Sequence, residues 1–371
     1  MTSPLLDHCP PTLPAAAYRD AAWHERELAG IWRTEWVAMG RAEDFPARSV
    51  RRREVGGAEV IVVNDGKETR AFHNVCRHRG SELCAVDGPL GKLITCPYHA
   101  WAYAPDGRLI STAFATPGED FQRGDHGLLP LHVKLWNGIL FLSAAEEAPP
   151  FVTDIGADKL DSWPMEELRL GHRLETTIQC NWKVFWENYN ECLHCPGIHP
   201  TLIDMVPVYK HGVMAENERV DGGAAHTALK DGARTWTETG APCGPVFPDL
   251  SEAEQAEGFR FVTIWPSAFV VAHVDYVRLV RLTPVSPTET RLTADWLFSE
   301  ETLSQPGFDA AAVARFATQV LSEDAAACEM NQRGLASPAY TAGRLMPQEY
   351  EIAAFHLWVL DRLMPDEGVT R

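Results

Sequence analysis

The chain is poor in positive charge for its length. Its 371 residues include 51 acidic but only 33 basic side chains, which gives a formal net charge of −18. A protein that binds nucleic acid needs a basic face to displace counterions, and binding to an anionic membrane needs clustered lysine or arginine. The composition therefore predicts neither partner. An acidic surface suits a soluble protein that docks with another protein through charge.

Long apolar runs and export signals are also missing. No stretch approaches the roughly 18 apolar residues of a membrane span, and the opening MTSPLLDHCPPTLP lacks the basic and apolar parts of a secretory signal. The nine cysteines are an odd number in a long chain. A disulfide framework is therefore not expected, and the thiols are predicted to be reduced, buried or metal-bound. These absences predict a cytoplasmic protein.

The pattern of residue types changes along the chain. A segment of helix-forming composition at about 16–38 is followed, from 45 to about 143, by short β-rich runs that Gly, Pro, Asn and Asp separate. The sequence EEAPPF at 146–151 is a predicted linker. Beyond it come a helical segment at 181–195, three strand-like runs within 259–298 and a long helix from 308 to about 335. Residues 222–251 have little pattern and are predicted to form a loop. This order predicts a β domain followed by an α+β domain.

The β-rich region contains one cluster of metal-ligand residue types. Cys76 and His78 form a C-x-H pattern, and Cys96 and His99 form C-x-x-H after seventeen intervening residues. Four Cys and His ligands can hold zinc. One Cys and one His per loop fits a [2Fe–2S] cluster better, because two thiolates can hold one iron and two imidazoles the other.

A second cluster lies in the α+β region. Glu191 and His194 are three residues apart and are predicted to share one helical face, so the carboxylate can reach the imidazole. Pro196 and Gly197 turn the chain towards His199. On the late helix, Asp324 falls within a stripe of apolar residues, where a carboxylate must be paired, protonated or metal-bound. Two His and one carboxylate are the ligand set of non-haem Fe(II) oxygenases.

These segments resemble Rieske non-haem iron oxygenases, α (terminal oxygenase) subunit. The similarity lies in CRHRG, CPYHAWAYAPDG, NWKVFWENYNECLHCPGIHP and EDAAACEMNQRGL and extends over nearly the whole chain. The resemblance implies an α+β fold class, with an all-β Rieske [2Fe–2S] domain and a catalytic domain whose antiparallel sheet is flanked by helices (helix-grip, START-like). The expected domains are an N-terminal helical segment at 1–40 that packs on the catalytic domain, the Rieske domain at 41–148 and the catalytic mononuclear iron domain at 149–371.

The resemblance also implies the site residues. Cys76 and Cys96 would ligate one cluster iron, and His78 and His99 the other. His194, His199 and Asp324 would ligate the mononuclear iron, with Glu191 as the bridging acid. Such enzymes are head-to-tail homotrimers, which implies an electron path from His99 through Glu191 of the next subunit to His194. Electrons from NAD(P)H would arrive through a separate flavin- or ferredoxin-type reductase, since no G-x-G-x-x-G follows a strand.

The variant ECLHC is similar to members that act on quaternary ammonium compounds, such as carnitine monooxygenase and the glycine betaine and stachydrine demethylases. The implied reaction is monooxygenation or dioxygenation with O₂, leading to N-demethylation or C–N cleavage. Aromatic side chains are expected near an ammonium substrate. The candidates are Trp186, Tyr189, Trp265, Phe269 and Tyr276. Cys192 and Cys195 are predicted to pack rather than to bind metal.

Three alternatives stay open on the residues alone. An aromatic ring hydroxylase or aromatic O-demethylase would share the fold. A Rieske electron-transfer protein would need the first cluster only, and His194, His199 and Asp324 argue against it. A zinc-binding structural protein would use the same four Cys and His residues.

Overall fold

The structure, a computed structural model, describes residues 5–151, 160–215, 218 and 228–364. It divides into two compact units, Leu28–Phe151 and a second unit formed by Met1–Glu27 with Val152–Arg371. The finer boundaries expected from the sequence, at residues 40 and 148, stay predictions. The predicted loop at 222–251 is described only from residue 228 onwards. Among the described residues, no helix is long and apolar enough to cross a membrane.

The unit Leu28–Phe151 is built from antiparallel sheets. Seven strands form one sheet in the order β1-β10-β9-β4-β3-β2-β5, and three form another in the order β6-β7-β8. Their bounds are β1 Val37–Arg41, β2 Ser49–Val55, β3 Ala58–Asn64, β4 Thr69–His73, β5 Gly88–Pro89, β6 Ile94–Thr95, β7 Ala102–Tyr103, β8 Leu109–Ser111, β9 Pro130–Trp136 and β10 Ile139–Ser143.

Local sequence explains the β2–β3 hairpin. Val55 pairs with Ala58 across a two-residue turn, and both turn residues, Gly56 and Gly57, have positive φ, at +53° and +76°. A two-residue hairpin turn of this hand needs residues that tolerate positive φ. Inward side chains of this sheet then pack with Cys76 and Cys96 in one core. The sheet thus fixes the bases of both cysteine loops.

The second unit contains a five-stranded antiparallel sheet with helices. The strand order is β11-β15-β14-β13-β12. The strands are β11 Arg169–Ile178, β12 Phe259–Ile264, β13 Ala268–His273, β14 Val277–Ser286 and β15 Glu289–Phe298. The helices are α1 Ala21–Glu27, α2 Trp182–Tyr189, α3 Cys195–Ile198, α4 Pro200–Met205, α5 Glu252–Glu257, α6 Glu300–Leu303, α7 Ala310–Leu335 and α8 Tyr350–Leu363. The predicted fold class, α+β with a β domain and a sheet-and-helix domain, is confirmed.

Two predicted elements differ in detail. The helical segment at 16–38 is broken into a 3₁₀ turn at Ala15–Tyr18, then α1, a π turn at Leu28–Trp32 and the strand β1. The helix predicted over 181–195 ends at Tyr189, because the Glu191 carboxylate accepts the backbone N–H groups of Leu193 and His194. A side chain that satisfies nearby backbone donors competes with helix continuation. Glu191 and His194 therefore meet across a turn and not along a helix.

The long strand-like run at 268–285 forms two strands. It folds back at Val274–Tyr276, where the backbone N–H of His273 donates to the carbonyl of Tyr276 at 2.9 Å. Strand β11 and helix α8 were not predicted at all. The burial pattern of β11 alternates poorly, since most of its side chains are half-buried or exposed.

A buried ion pair ties α1 to α2. The Lys183 ammonium donates to Glu27 Oε1 at 2.5 Å and to Asn181 Oδ1 at 2.7 Å. The Trp182 indole N–H donates to the other Glu27 oxygen at 2.8 Å. Glu27 and Lys183 have fully buried side chains. Burial lowers the pKa of Lys183 while Glu27 opposes that shift. This network fixes the start of α2, the helix that leads into the His194 turn.

Helix α7 is positioned at both ends. Asp309 caps its N-terminus by accepting the N–H groups of Ala311 and Ala312. Near its C-terminus, Gln332 accepts the Asn181 N–H at 2.8 Å and donates to the Tyr18 carbonyl at 3.0 Å. Both contacts tie α7 to the segments that carry α1 and α2. Asp324, in the middle of α7, is held in a fixed position relative to the turn after α2.

Candidate metal centres and substrate cavity

The two cysteine loops share one backbone geometry. In each loop the cysteine N–H donates to the carbonyl five residues later at 2.8 Å, and the cysteine carbonyl accepts the N–H four residues later at 3.0 Å. The residue at the fourth position has positive φ in both loops, +77° at Gly80 and +56° at Ala100. Glycine adopts this conformation freely, whereas alanine does so only when its surroundings hold it there. The sequence thus builds two matching loops with a cysteine at the base of each.

The ligand-type side chains of these loops lie together. Cys76 and Cys96 are buried, and the rings of His78 and His99 have their centroids 4.7 Å apart. Burial raises the pKa of Cys76. Burial also tends to raise the pKa of Cys96, but the N–H groups of Tyr98 and His99 outweigh it and lower that pKa. Backbone N–H groups aimed at a sulfur favour its thiolate form, which is the form that ligates iron. The four side chains fit a [2Fe–2S] cluster.

Two further residues support this centre and were missed by sequence reasoning. The Tyr103 hydroxyl lies 3.3 Å from the Cys76 sulfur and accepts the N–H of Arg77 at 3.1 Å. The hydroxyl can therefore donate its own proton to the sulfur when Cys76 is a thiolate. Trp101 stacks on His78 with centroids 4.7 Å apart and an interplanar angle of 10°. Both follow the second loop directly, so their position beside the ligands was the available signal.

Three side chains converge at the second candidate centre. Nε2 of His194 and Nε2 of His199 are 3.2 Å apart. Oδ1 of Asp324 lies 2.9 Å from the His199 nitrogen and 3.4 Å from the His194 nitrogen. Donor atoms this close, from two imidazoles and a carboxylate, fit one divalent ion with open positions, as in the facial triad of non-haem iron.

Each imidazole is held from behind by a glutamate. Glu191 Oε1 lies 2.5 Å from Nδ1 of His194, and Glu323 Oε2 lies 2.8 Å from Nδ1 of His199. With Nδ1 donating to glutamate, the Nε2 lone pair of each ring points towards Asp324. Carboxylates in this outer position fix the tautomer and orientation of metal-binding histidines. Glu191 was predicted from the sequence, whereas Glu323 was not.

The charges at this centre favour a cation. Burial lowers the pKa of His194, but its hydrogen bonds to Asp324 and Glu191 outweigh burial and raise the pKa to about 9. The pKa of His199 is raised in the same way, against burial, by Asp324 and Glu323. Burial raises the pKa of Asp324, yet the two histidines lower it overall. An environment that stabilises imidazolium so strongly also stabilises a bound metal ion at the same point.

Cys192 and Cys195 correct the sequence expectation about thiols. Their sulfurs are joined in a disulfide, with Cα atoms 5.0 Å apart, so the prediction that all thiols stay reduced is wrong for this pair. The turn between α2 and α3 brings the two Cα atoms within disulfide range. This local geometry was not visible in the cysteine count, from which no disulfide was expected. The sulfur of Cys195 lies 3.9 Å from Nε2 of His194, but the disulfide makes it unsuitable as a ligand. Both cysteines also pack in the core, as predicted.

A cavity of about 220 Å³ opens beside His194, His199 and Asp324. Its size is below the roughly 300–1,000 Å³ of pockets for drug-sized ligands, so it suits a small substrate. Of the predicted aromatic residues, Tyr189 and Phe269 line it. Other lining residues include Phe185, Asn188, Leu202, Tyr209, Met214, Trp236, Phe261, Thr263, Arg278, Val320, Leu321 and Glu351.

The other three predicted pocket residues lie elsewhere. The indole N–H of Trp186 donates to the Pro266 carbonyl at 2.7 Å, which turns this ring away from the cavity. The Trp265 ring packs against α8. The Tyr276 hydroxyl donates to the Trp236 carbonyl at 2.7 Å. Spacing along the sequence could not separate these core aromatics from cavity aromatics.

Comparison with known proteins identifies the family. The model described as "Ring hydroxylating alpha subunit (catalytic domain)" matches residues 165–364, and the Rieske [2Fe–2S] domain model matches residues 35–122. The chain belongs to the Rieske non-haem iron oxygenases. This membership confirms the predicted enzyme class, and with it the two cofactors, a [2Fe–2S] cluster and a mononuclear iron, and the role of terminal oxygenase.

Relatives of this Rieske oxygenase span nearly its whole length. The glycine betaine monooxygenase oxygenase subunit of Chromohalobacter salexigens is 30% identical, over 95% of this chain and 86% of the relative. The chloroplastic choline monooxygenase of Beta vulgaris is 28% identical, over 95% of this chain and 77% of the relative. The crystal structure of the quaternary ammonium Rieske monooxygenase CntA with its substrate L-carnitine matches with a TM-score of 0.71 at 24% identity, over 95% of this chain and 96% of the other.

Proposed function

We propose that this Rieske oxygenase hydroxylates a small quaternary ammonium compound at a carbon beside the nitrogen, which leads to N-demethylation or C–N cleavage. The observation that carries the proposal is the aromatic lining of the cavity next to His194, His199 and Asp324. A quaternary ammonium group cannot donate hydrogen bonds, so aromatic faces are its natural partners where water is excluded.

The aromatic rings are close enough to act together. Tyr189 and Phe269 have ring centroids 4.1 Å apart, and the Phe261 ring lies 6.0 Å from both Tyr189 and Trp236. Several faces around one small cavity suit a compact cation better than a flat aromatic ring system. Relatives that act on glycine betaine, choline and L-carnitine point to the same class of substrate.

The ligand assignments are part of the proposal. His194, His199 and Asp324 would hold the mononuclear iron, which when bound supplies O₂ activation with electrons from the cluster. The cluster would be held by Cys76, His78, Cys96 and His99. Glu191 and Glu323 keep the two imidazoles in their binding orientation. The apolar lining keeps water from the reacting carbon.

We also propose the assembly predicted from the resemblance. The oxygenase would form a head-to-tail homotrimer in which His99 of one chain contacts Glu191 of the next, and a separate flavin-containing reductase would pass on electrons from NAD(P)H. A contact between unlike surfaces of identical chains closes into a ring. The net charge of −18 suits docking of an electron-transfer partner. A source of NAD(P)H favours the cytoplasm as the place of action.

Single-turnover kinetics tests the substrate class. Chemically reduced, iron-replete protein would be mixed with O₂ and with glycine betaine, L-carnitine, choline, an aromatic carboxylate or an aromatic ether. The expected result is reoxidation of the cluster with an ammonium compound and formation of its oxidised product, with formaldehyde for N-demethylation. Reoxidation with the aromatic compounds alone would contradict the proposed substrate and favour the aromatic alternative. Protein loaded with the cluster but lacking the mononuclear iron serves as the control.

A further inference from the structure

Arg278 is a charged residue within the cavity-facing surface of the sheet. On β14 it pairs in register with Val271 of β13 and Trp296 of β15. Alternation along the strands places it on the same face as Phe261 and Phe269, which also line the cavity. The residue is only 4% exposed, so the guanidinium is nearly removed from bulk water while it borders the cavity.

Two of the three guanidinium nitrogens have no hydrogen-bond partner in the part of the chain that the structure describes. Nε and Nη1 of Arg278 make no hydrogen bond within the described ranges of the chain. Two partly buried arginines of the same sheet do have a carboxylate partner. On the opposite face, Arg281 donates to Asp295 at 3.1 Å and Arg173 donates to the same carboxylate at 2.5 Å. The sheet therefore supplies Asp295 as a counter-charge on one face, whereas Arg278 on the cavity face forms no ion pair with the described residues.

Three neighbouring titratable groups, Asp275, His273 and Asp324, do not fill this role. The two carboxylate oxygens of Asp275 accept hydrogen bonds from the Thr235 hydroxyl and the Cys243 N–H. The His273 ring is fully buried, and burial together with Arg278 lowers its pKa well below the usual range, so it is neutral. Asp324 contributes a favourable charge, but its oxygen faces His194 and His199. Burial lowers the pKa of Arg278, as expected for an uncompensated charge.

We infer that Arg278 binds a carboxylate of the substrate. A buried, unpaired guanidinium is unfavourable unless a ligand supplies the missing anion, and its planar fork matches a carboxylate with two parallel hydrogen bonds. The inference rests on the proposed function and narrows it. The substrate is a zwitterion whose carboxylate meets Arg278 and whose ammonium group lies among the aromatic rings. Betaines and carnitine have both groups, whereas choline has no carboxylate.

This arrangement predicts strong discrimination within the ammonium compounds. A site that leaves a buried polar group unpaired when a ligand lacks the matching group rejects that ligand strongly. We expect wild-type protein to bind glycine betaine or L-carnitine at least roughly 100-fold more tightly than choline. Equal affinity for choline would overturn the inference.

Calorimetry on the iron-replete, oxidised protein tests the role of Arg278 without turnover. In Arg278→Gln, affinity for glycine betaine and L-carnitine is expected to fall roughly 100-fold, while affinity for choline stays within a few-fold. Arg278→Lys keeps the charge but loses the planar fork, so its affinity for the carboxylated ligands should lie between those of wild type and Arg278→Gln. An equal loss for choline and for the carboxylated ligands would indicate a structural arginine and overturn the inference.

Thermal unfolding without ligand separates binding from folding. Because Nε and Nη1 of the arginine make no hydrogen bond with the described residues, Arg278→Met is expected to keep or raise the melting temperature. Glycine betaine should raise it further in wild type but not in the variant. Arg281→Gln is the matched control on the same strand. It should lower the melting temperature, since it breaks the contact with Asp295, and leave the preference for carboxylated ligands unchanged.

The outcomes distinguish the two proposals. If wild-type protein binds and oxidises glycine betaine or L-carnitine but Arg278→Gln binds them equally well, only the role of Arg278 fails. If wild-type protein binds no quaternary ammonium compound, the proposed function fails and the inference fails with it.

Discussion

Glu323 and Asp324, consecutive residues of α7, contact opposite nitrogens of the same imidazole. Glu323 Oε2 lies 2.8 Å from Nδ1 of His199, and Asp324 Oδ1 lies 2.9 Å from its Nε2. Consecutive residues of a helix point about 100° apart, which is enough for one helix to hold both sides of a ring. His199 is thus oriented before any metal binds.

The first prediction concerns Glu323→Ala. Without the outer carboxylate the His199 ring loses its fixed tautomer, and affinity for the mononuclear iron is expected to fall about 10–100-fold. Glu323→Gln, which keeps an oxygen acceptor, should lose less. The measurement is iron retained during titration with a chelator. Glu329→Ala, on the same helix but in contact with Gln179, is the control and should retain iron as wild type does. Equal retention by Glu323→Ala would show that His199 needs no outer partner.

The second prediction concerns Asp324→Ala. The variant is expected to lose the mononuclear iron and all turnover while the Rieske absorbance stays intact, because Asp324 is the carboxylate at the convergence of His194 and His199. Metal analysis and the visible spectrum measure the two centres separately. Normal activity in this variant would refute the ligand assignment.

Local patterns explain why much of both sites was predictable. The C-x-H and C-x-x-H loops carry their ligands within a few residues of each other, so spacing alone reveals Cys76, His78, Cys96 and His99. Asp324 was predicted because a carboxylate inside an apolar helical stripe is unusual, and the helix predicted over 308–335 is observed at Ala310–Leu335. Both signals, the ligand spacing in the loops and the apolar stripe of the helix, depend only on residues close together in the sequence.

Long-range pairing explains most of what was missed. Arg278 stands in an ordinary strand sequence, and nothing nearby in sequence shows that its guanidinium lacks a partner. The role of Glu323 depends on His199, more than a hundred residues away. The end of α2 at Tyr189 was missed for another reason. Helix propensity describes each residue by itself, whereas this helix ends because the Glu191 side chain accepts backbone N–H groups of the following turn.

The third prediction concerns Glu191. Glu191 Oε1 lies 2.5 Å from Nδ1 of His194. In the proposed trimer, Glu191 is the group through which an electron would reach that ligand. Glu191→Ala is expected to keep both metals under iron-replete conditions but to slow electron transfer to the mononuclear iron. The measurement is cluster reoxidation after the reduced protein is mixed with O₂ and substrate. Rapid reoxidation in the variant would argue against this role, and Glu191→Gln shows how much depends on the negative charge.

The fourth prediction concerns the buried pair Glu27 and Lys183. Glu27→Gln leaves a buried lysine without its counter-ion and is expected to lower the free energy of unfolding by about 3–5 kcal/mol. The double variant Glu27→Gln with Lys183→Met removes both charges and should recover much of that loss. Urea unfolding of four proteins, wild type, Glu27→Gln, Lys183→Met and the double variant, gives the free energy of coupling between the two side chains. Independent, additive effects of the two substitutions would mean that the contact is not energetically coupled.

The fifth prediction concerns the disulfide between Cys192 and Cys195. Of the nine cysteines, seven are free and two are bonded, so alkylation of the denatured protein should modify seven thiols without reductant and nine after reduction. Mass spectrometry reads both numbers. Closing so short a loop contributes about 2 kcal/mol in the chain-entropy model, so the free energy of unfolding of the double variant Cys192→Ser with Cys195→Ser, measured in urea, should be lower by about that amount. Cys9→Ser, at an exposed free thiol, is the control and should change the count without changing stability. Nine modified thiols in protein never exposed to reductant would show that the pair is a dithiol, and the His194 turn would then be held by packing and by the hydrogen bonds of Glu191.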